Sequence, residues 1–176
     1  FLSPNNSNKS IHLNIAVKNI CRIDQKYYAV AASGFAGIML LPNTNKSQPS
    51  VWDTIFKPAF NANGIEISHL QNNIRAKTIA FNKVTNSIYF SGNQGTFKRT
   101  LTQQKEITKN NKPYFTNKII AYKNFLISLN YNGELFKITN DKEFEQLNDK
   151  INENEVKLIK QFKNYLLVVG KQTIHK

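Results

Sequence analysis

The sequence predicts an all-β fold of β-propeller-type blades, antiparallel meander sheets forming a partial ring, and three observations carry that prediction. The first is Ile119–Thr139, IIAYKNFLISLNYNGELFKIT. Its three apolar runs are separated by a KN turn and a YNG turn, and Asn-Gly supplies the positive φ that a tight hairpin needs. The second is recurrence. Nearly the same pattern is spelled at Thr78–Thr100 and at Val17–Leu41, and it begins again at Val156–Lys176. Taking Gly37, Gly95 and Gly133 as closing each second turn gives spacings of 58 and 38 residues. A unit of roughly 40 residues with three strands and a less regular fourth is the propeller signature. The third is that the middle runs FLISL and YLLVVG are apolar throughout rather than alternating. Both faces of such a sheet must be covered, as in stacked blades.

In chain order, residues 1–10 are a polar lead-in and 11–17 (IHLNIAV) alternates as one strand of a preceding blade, with His12 at an exposed position. The first blade is expected over 17–70. Its YYAVAAS run uses small alanines that suit close strand approach, and its SGFAG turn carries Phe35, tucked onto the blade or exposed for contact. Residues 43–64 read as an insertion with an aromatic cluster (Trp52, Phe56, Phe60), either a plug over a sheet edge or a pocket wall. IEISHL at 65–70 is expected as an outer strand, followed by an NN turn. A second blade at 74–109, a third at 115–147 and an incomplete fourth at 156–176 complete one domain of about four units. Within 140–155, a strand at EFEQL competes with a helix capped by Asp141, and the strand is preferred. The chain starts at FLSP and stops inside a blade pattern at TIHK, so a piece of a longer chain is expected. Exposed sheet edges at both ends then predict a homo-oligomer, or pairing with the remaining blades of six to eight.

Composition narrows function. The formal charge is +13, but it is carried by scattered lysines with three arginines, and asparagine is equally abundant. A basic solvated surface explains this better than nucleic-acid binding, since bidentate reading of phosphates and bases favours Arg. The single cysteine, Cys21, sits in an apolar run and reads as an inert thiol. His69 has no histidine or cysteine at ligand spacing, so no metal site is expected, and no cofactor motif is present. No apolar stretch approaches the roughly 20 residues of a membrane span. No G-x-S-x-G, H-E-x-x-H, Walker or G-x-G-x-x-G pattern occurs, and isolated Asp24 and Asp53 leave paired-carboxylate catalysis without support.

The repeat I-x-F-N-x-x-x-N-S-I-Y-F-S-G-N-Q-G-T-F-K-R at 79–99, and ISLNYNGELFKI at 127–138, resemble the two-component regulator propeller repeat of bacterial sensor proteins. The family's tryptophan is replaced by Tyr89 and Ile127, and its Gly-Thr pair by Ser91-Gly92 and Leu129-Asn130. The resemblance implies the periplasmic, ligand-sensing region of a membrane-anchored histidine kinase or hybrid sensor. The leading expectation is therefore a non-catalytic ligand- or partner-binding module, with a carbohydrate-active enzyme or lyase fragment and a basic nucleic-acid binder as alternatives. In a blade whose inner strand comes first, the second turn and the connector to the next blade share one side of the disc. That places Phe35, Asn93, Gln94, Tyr131 and Asn132 together with the Pro113-Tyr114-Phe115 connector. Asn and Gln offer paired donors and acceptors, and Tyr a flat wall with a polar tip, suited to a glycan, peptide or small molecule.

Overall fold

The computed structural model describes residues 16–42, 44–62, 64–151, 155–162, 165–171 and 173–176, excluding the side chains of 60 and 62. Most of the strand expected at 11–17, with His12, lies outside these residues.

Four antiparallel sheets follow one another along the chain. The first contains β1 (Val17–Arg22), β2 (Tyr27–Leu40), β3 (Phe60–Ala62) and β4 (Ile65–Arg75) in the order β1-β2-β4-β3. The second is a meander of β5 (Thr78–Asn82), β6 (Ser87–Gly92), β7 (Gly95–Arg99), β8 (Gln104–Lys109) and β9 (Lys112–Pro113). The third is β10 (Lys118–Tyr122), β11 (Phe125–Leu129), β12 (Leu135–Thr139) and β13 (Glu143–Gln146), and the fourth β14 (Leu158–Phe162), β15 (Tyr165–Val169) and β16 (Ile174–His175). The first strands β1, β5, β10 and β14 lie side by side in that order. All four line one cavity of about 470 Å3, which marks the common axis.

The turns follow local chemistry. Asn82 Oδ1 accepts from the amides of Val84 and Thr85, at 2.9 and 3.3 Å, and fixes the β5–β6 turn. Asn110 and Asn111, at φ 53° and 59°, form the two-residue link from β8 to β9, since asparagine tolerates the left-handed region. Pro113 then sits at the edge of its sheet, where no ladder donor is required.

Packing between sheets makes the core. Ala29, Ala31, Ile38, Trp52, Ile79, Ile88 and Phe90 close the first sheet onto the second; Tyr89, Ile107, Ile119, Phe136 and Ile138 join the second to the third; and Ile127, Leu129, Leu135, Ile159 and Val168 join the third to the fourth. Each large side chain buried this way contributes about 1.5–3 kcal/mol. Polar pins cross the same interfaces. Asn19 Oδ1 accepts from Ile79 N at 2.9 Å, and Thr78 Oγ1 from Ile119 N at 3.0 Å. Among the described residues, the outer face of the fourth sheet exposes Leu158, Phe162, Tyr165 and Ile174, Ile174 at 74%, with Lys176 Nζ 3.8 Å from the Tyr165 ring centroid. Tyr165 occupies the register position that Phe125 holds in the third sheet, where the fourth sheet packs on it.

Three local expectations are corrected. SGFAG is not a turn: β2 runs through it to Leu40, with Gly34 at φ 117° taking up the irregularity. IEISHL is not an outer strand, because β3 lies outside it, and the NN pair is not a turn. The register from Gly34↔Ile74 to Phe35↔Asn72 leaves Asn73 (φ 60°) as the extra residue of a β-bulge. Adjacent glycine and asparagine signal either a turn or a bulge, and here the long partner strand selects the bulge. The insertion's aromatics form a plug: Trp52 is buried edge-on to Phe81, its indole donates to Asn86 Oδ1 at 3.2 Å, and Phe56 packs on Tyr27 at 4.7 Å.

Candidate binding groove

The β4–β5 connector, the β6–β7 turn, the β9–β10 connector and the β11–β12 turn meet on one face. Arg75 N donates to Asn93 Oδ1 at 2.7 Å, Lys77 N to Ser91 O at 2.8 Å, and Thr116 N to Ser91 Oγ at 3.3 Å. Between the last two of these segments lies a groove of about 420 Å3, lined by Lys109, Pro113, Tyr114, Phe115, Asn130, Tyr131, Asn132 and Glu134.

Its walls are set by backbone geometry. Asn130 Oδ1 accepts from the amides of Asn132 and Glu134, both at 2.9 Å, while Gly133 takes φ 78°. Asn130 also donates its side-chain amide to the Glu134 carboxylate. The turn therefore stands as a rigid knuckle with Tyr131 at its tip, 50% exposed. On the opposite wall, successive connector residues alternate. Tyr114 turns inward, its hydroxyl 2.8 Å from Ser128 Oγ and its ring edge-on to Phe136 and Phe144. Burial pushes its phenol up to about 12. Phe115 turns outward and is 43% exposed. Two ammonium groups lie over aromatic faces here: Lys109, which lines the groove, has Nζ 3.7 Å from the Phe136 centroid, and Lys77, outside the lining, has Nζ 4.6 Å from the centroid of Tyr131, which lines it.

The six residues singled out from the sequence divide accordingly. Tyr131 and Asn132 line the groove with the connector, as their shared side of the disc implies. Tyr114 forms its floor from within the core. Asn93 and Gln94 lie on the same face, but their side chains are spent on the neighbouring sheet. Besides the Asn93–Arg75 bond, Gln94 donates to Asn73 O at 3.1 Å and accepts from Gln71 at 3.0 Å. Phe35 does not belong to this face at all. With its turn replaced by strand, it is buried and tilted against the His69 ring, centroids 4.6 Å apart. Phe115, Lys77 and Lys109 were not singled out. Phe115 entered only with its connector, and no pattern in the sequence tells which of Tyr114 and Phe115 turns outward.

The other candidate chemistry resolves into structure. Folding does bring Asp24 and Asp53 together around Ser50, but both are saturated. Asp24 accepts from the amides of Lys26 and Tyr27 and from Ser50 Oγ; Asp53 accepts from Lys26 Nζ and Tyr27 Oη, both at 2.6 Å, and from Ser50 N. The Lys26 and Tyr27 bonds hold the Asp53 carboxyl down at about 2, the reverse of what a proton-donating acid needs. Burial pushes the Cys21 thiol up to about 12. Among the described residues no group of three or more His, Cys, Asp and Glu side chains could hold a metal ion, and no helix is long and apolar enough to cross a membrane.

No protein-family model and no curated protein matches the chain. Among solved structures it is similar to PorZ, an essential bacterial surface component of the type-IX secretion system of Porphyromonas gingivalis (TM-score 0.62, 8% identity, 90% of this chain and 19% of that one). It is also similar to YCF48 bound to D1 peptide (TM-score 0.57, 12% identity, 89% of this chain and 49% of that one). The WD40 β-propeller domain of Doa1 overlays at TM-score 0.47, with 9% identity. The chain thus spans about a fifth and about half of the lengths of the first two proteins. At such identities the likeness is one of fold: the chain is all-β, a run of antiparallel β-propeller-type blades.

Proposed function

We propose that this chain is a non-catalytic binding module that takes a peptide segment of a partner into the groove between Phe115 and Tyr131. The observation that carries this reading is the pair of exposed aromatic side chains facing one groove on a rigid knuckle and a stiff Pro-containing connector. Rigid aromatic walls with polar groups at the rim fit an extended peptide, because little side-chain entropy is lost on binding. The similar YCF48 structure holds a peptide, which supports this choice of ligand class. The finer reading is an extracytoplasmic sensing region of a two-component regulator. It rests on the repeat resemblance at 79–99 and 127–138 and on the surface location of PorZ. The exposed apolar side chains of Leu158 and Ile174 on the outer face of the fourth sheet support further blades, or a second copy, as an additional partner.

Screening the chain against an array of short peptides tests the groove. Tyr131→Ala and Phe115→Ala should each abolish the binding selected with the parent protein, whereas Gln94→Ala should leave it intact. Selected peptides that bind both groove variants like the parent would remove the proposal.

A further inference from the structure

The groove's ligand chemistry is legible in its charged groups. Lys77 and Lys109 make no ion pair among the described residues; their ammonium groups rest over the Tyr131, Phe136 and Phe144 rings. Some other lysines of these sheets are ion-paired: Lys98 and Lys105 share Asp141, and Lys137 pairs with Glu145. A ring face attracts a cation but supplies no counter-charge, so neither ammonium is matched by a carboxylate among the described residues. The groove's one carboxylate, Glu134, accepts the Asn130 amide within the knuckle. The Asn132 side chain is exposed at the rim, with only its backbone amide used in the turn.

We infer that the groove selects an acidic peptide, with carboxylates set against Lys77 and Lys109 and an apolar side chain between Phe115 and Tyr131. The inference rests on the peptide-groove reading above and adds the sign of the ligand's charge. The excess of 24 Lys and Arg over 11 Asp and Glu works in the same direction, raising the encounter rate with any acidic partner. The groove's contribution is local, and that separates it from the general field.

The test is fluorescence anisotropy with the labelled peptide GEFEEG and its neutral counterpart GQFQQG, at low and physiological salt. The acidic peptide should bind about tenfold tighter than the neutral one, and the preference should shrink as salt screens the charges. The double variant Lys77→Gln/Lys109→Gln should remove that preference. Lys83→Gln/Lys142→Gln, which lowers the net charge equally from exposed turns elsewhere, should retain it. Equal binding of both peptides by the parent overturns the acidic selectivity and leaves the groove standing. Equal loss in the two double variants also overturns it, because the effect is then the general field. Binding of both peptides that ignores Tyr131→Ala removes the groove reading itself.

Discussion

The β6–β7 turn and the β11–β12 turn occupy the same place in consecutive blades, yet they have opposite fates. At the first, Asn93 and Gln94 are tied to the preceding sheet through Arg75, Asn73 and Gln71. At the second, the Asn130 side chain holds the turn, and Tyr131 and Asn132 line a groove, Asn132 contributing only its backbone amide to the turn. The cause lies one blade back. β4 is eleven residues long and carries its bulge at Asn73, so the preceding sheet reaches far enough to meet the first turn. The third sheet's turn is tied at Gly133, whose carbonyl accepts from Val156 N at 2.9 Å and from Asn148 Nδ2 at 3.1 Å, while its tip at Tyr131 and Asn132 stays exposed. A polar turn in a repeat protein is thus a potential site only where its tip stays exposed.

The comparison can be broken most forcefully at the glycines. A Cβ on Gly92 would stand 2.5 Å from Arg75 O and 2.7 Å from Ile74 Cγ1, both on the strand that covers the first turn. Gly92→Ala should therefore cost about 3 kcal/mol or prevent folding, as overpacking against backbone does. Gly133→Ala would strain a positive φ, press on Glu155 Cγ and come within 3.3 Å of Glu155 Cα and Val156 N, at about 2 kcal/mol. Urea unfolding of both variants checks the order. A larger loss at Gly133 would contradict the idea that the first turn is the locked one.

A second lock sits at the opposite end of the same two sheets. The Asp141 carboxylate accepts from Tyr89 Oη at 2.9 Å and pairs with Lys98 and Lys105, both at 2.8 Å. Burial works to raise this carboxyl, but the bonds from Lys105, Lys98 and Tyr89 outweigh it and hold the group below its usual range. A depressed folded pKa means the stabilisation is fully present above the unfolded carboxyl value near 4 and is lost as pH falls through the lower folded one. Asp141→Ala should cost about 2 kcal/mol at pH 7, and the gap to the parent should narrow as unfolding is repeated at progressively lower pH below 4. A gap that stays constant with pH would show that Asp141 acts only through packing.

The smallest effects sharpen the comparison most. Asn93→Ala removes an acceptor from Arg75 N and should cost about 1 kcal/mol. Asn132→Ala, whose side chain is exposed at the rim, should stay within about 0.5 kcal/mol. Equal costs in thermal unfolding would erase the distinction between a tied turn and a free one.

The difference between these turns also marks how far the sequence could be read. Apolar runs and the Asn-Gly signal located the second and third meanders, because local propensity and blade geometry agree there. With the inner strand first in each blade, the second turn and the following connector are expected on one side of the disc; Tyr131, Asn132 and Pro113 line one groove. The first blade was misread at SGFAG and at the NN pair. Glycine and asparagine permit positive φ for a turn or a bulge alike, and only the partner strand on the far side of the 43–64 insertion decides between them. Phe35 left the candidate face with that turn. Lys77 gave no signal because its position over Tyr131 depends on how two sheets stack, which no local pattern records.

The central claim, that the free turn and its connector form the binding surface, is tested most directly by mapping backbone amide chemical shifts while GEFEEG is titrated into the labelled chain. The account predicts that shifts concentrate at 77, 114–116 and 130–134, with the Asn93–Gln94 turn little moved. A footprint centred on the axial strands at 118–121 and 158–161, or on the opposite-face turns at 83–86 and 140–142, would contradict it.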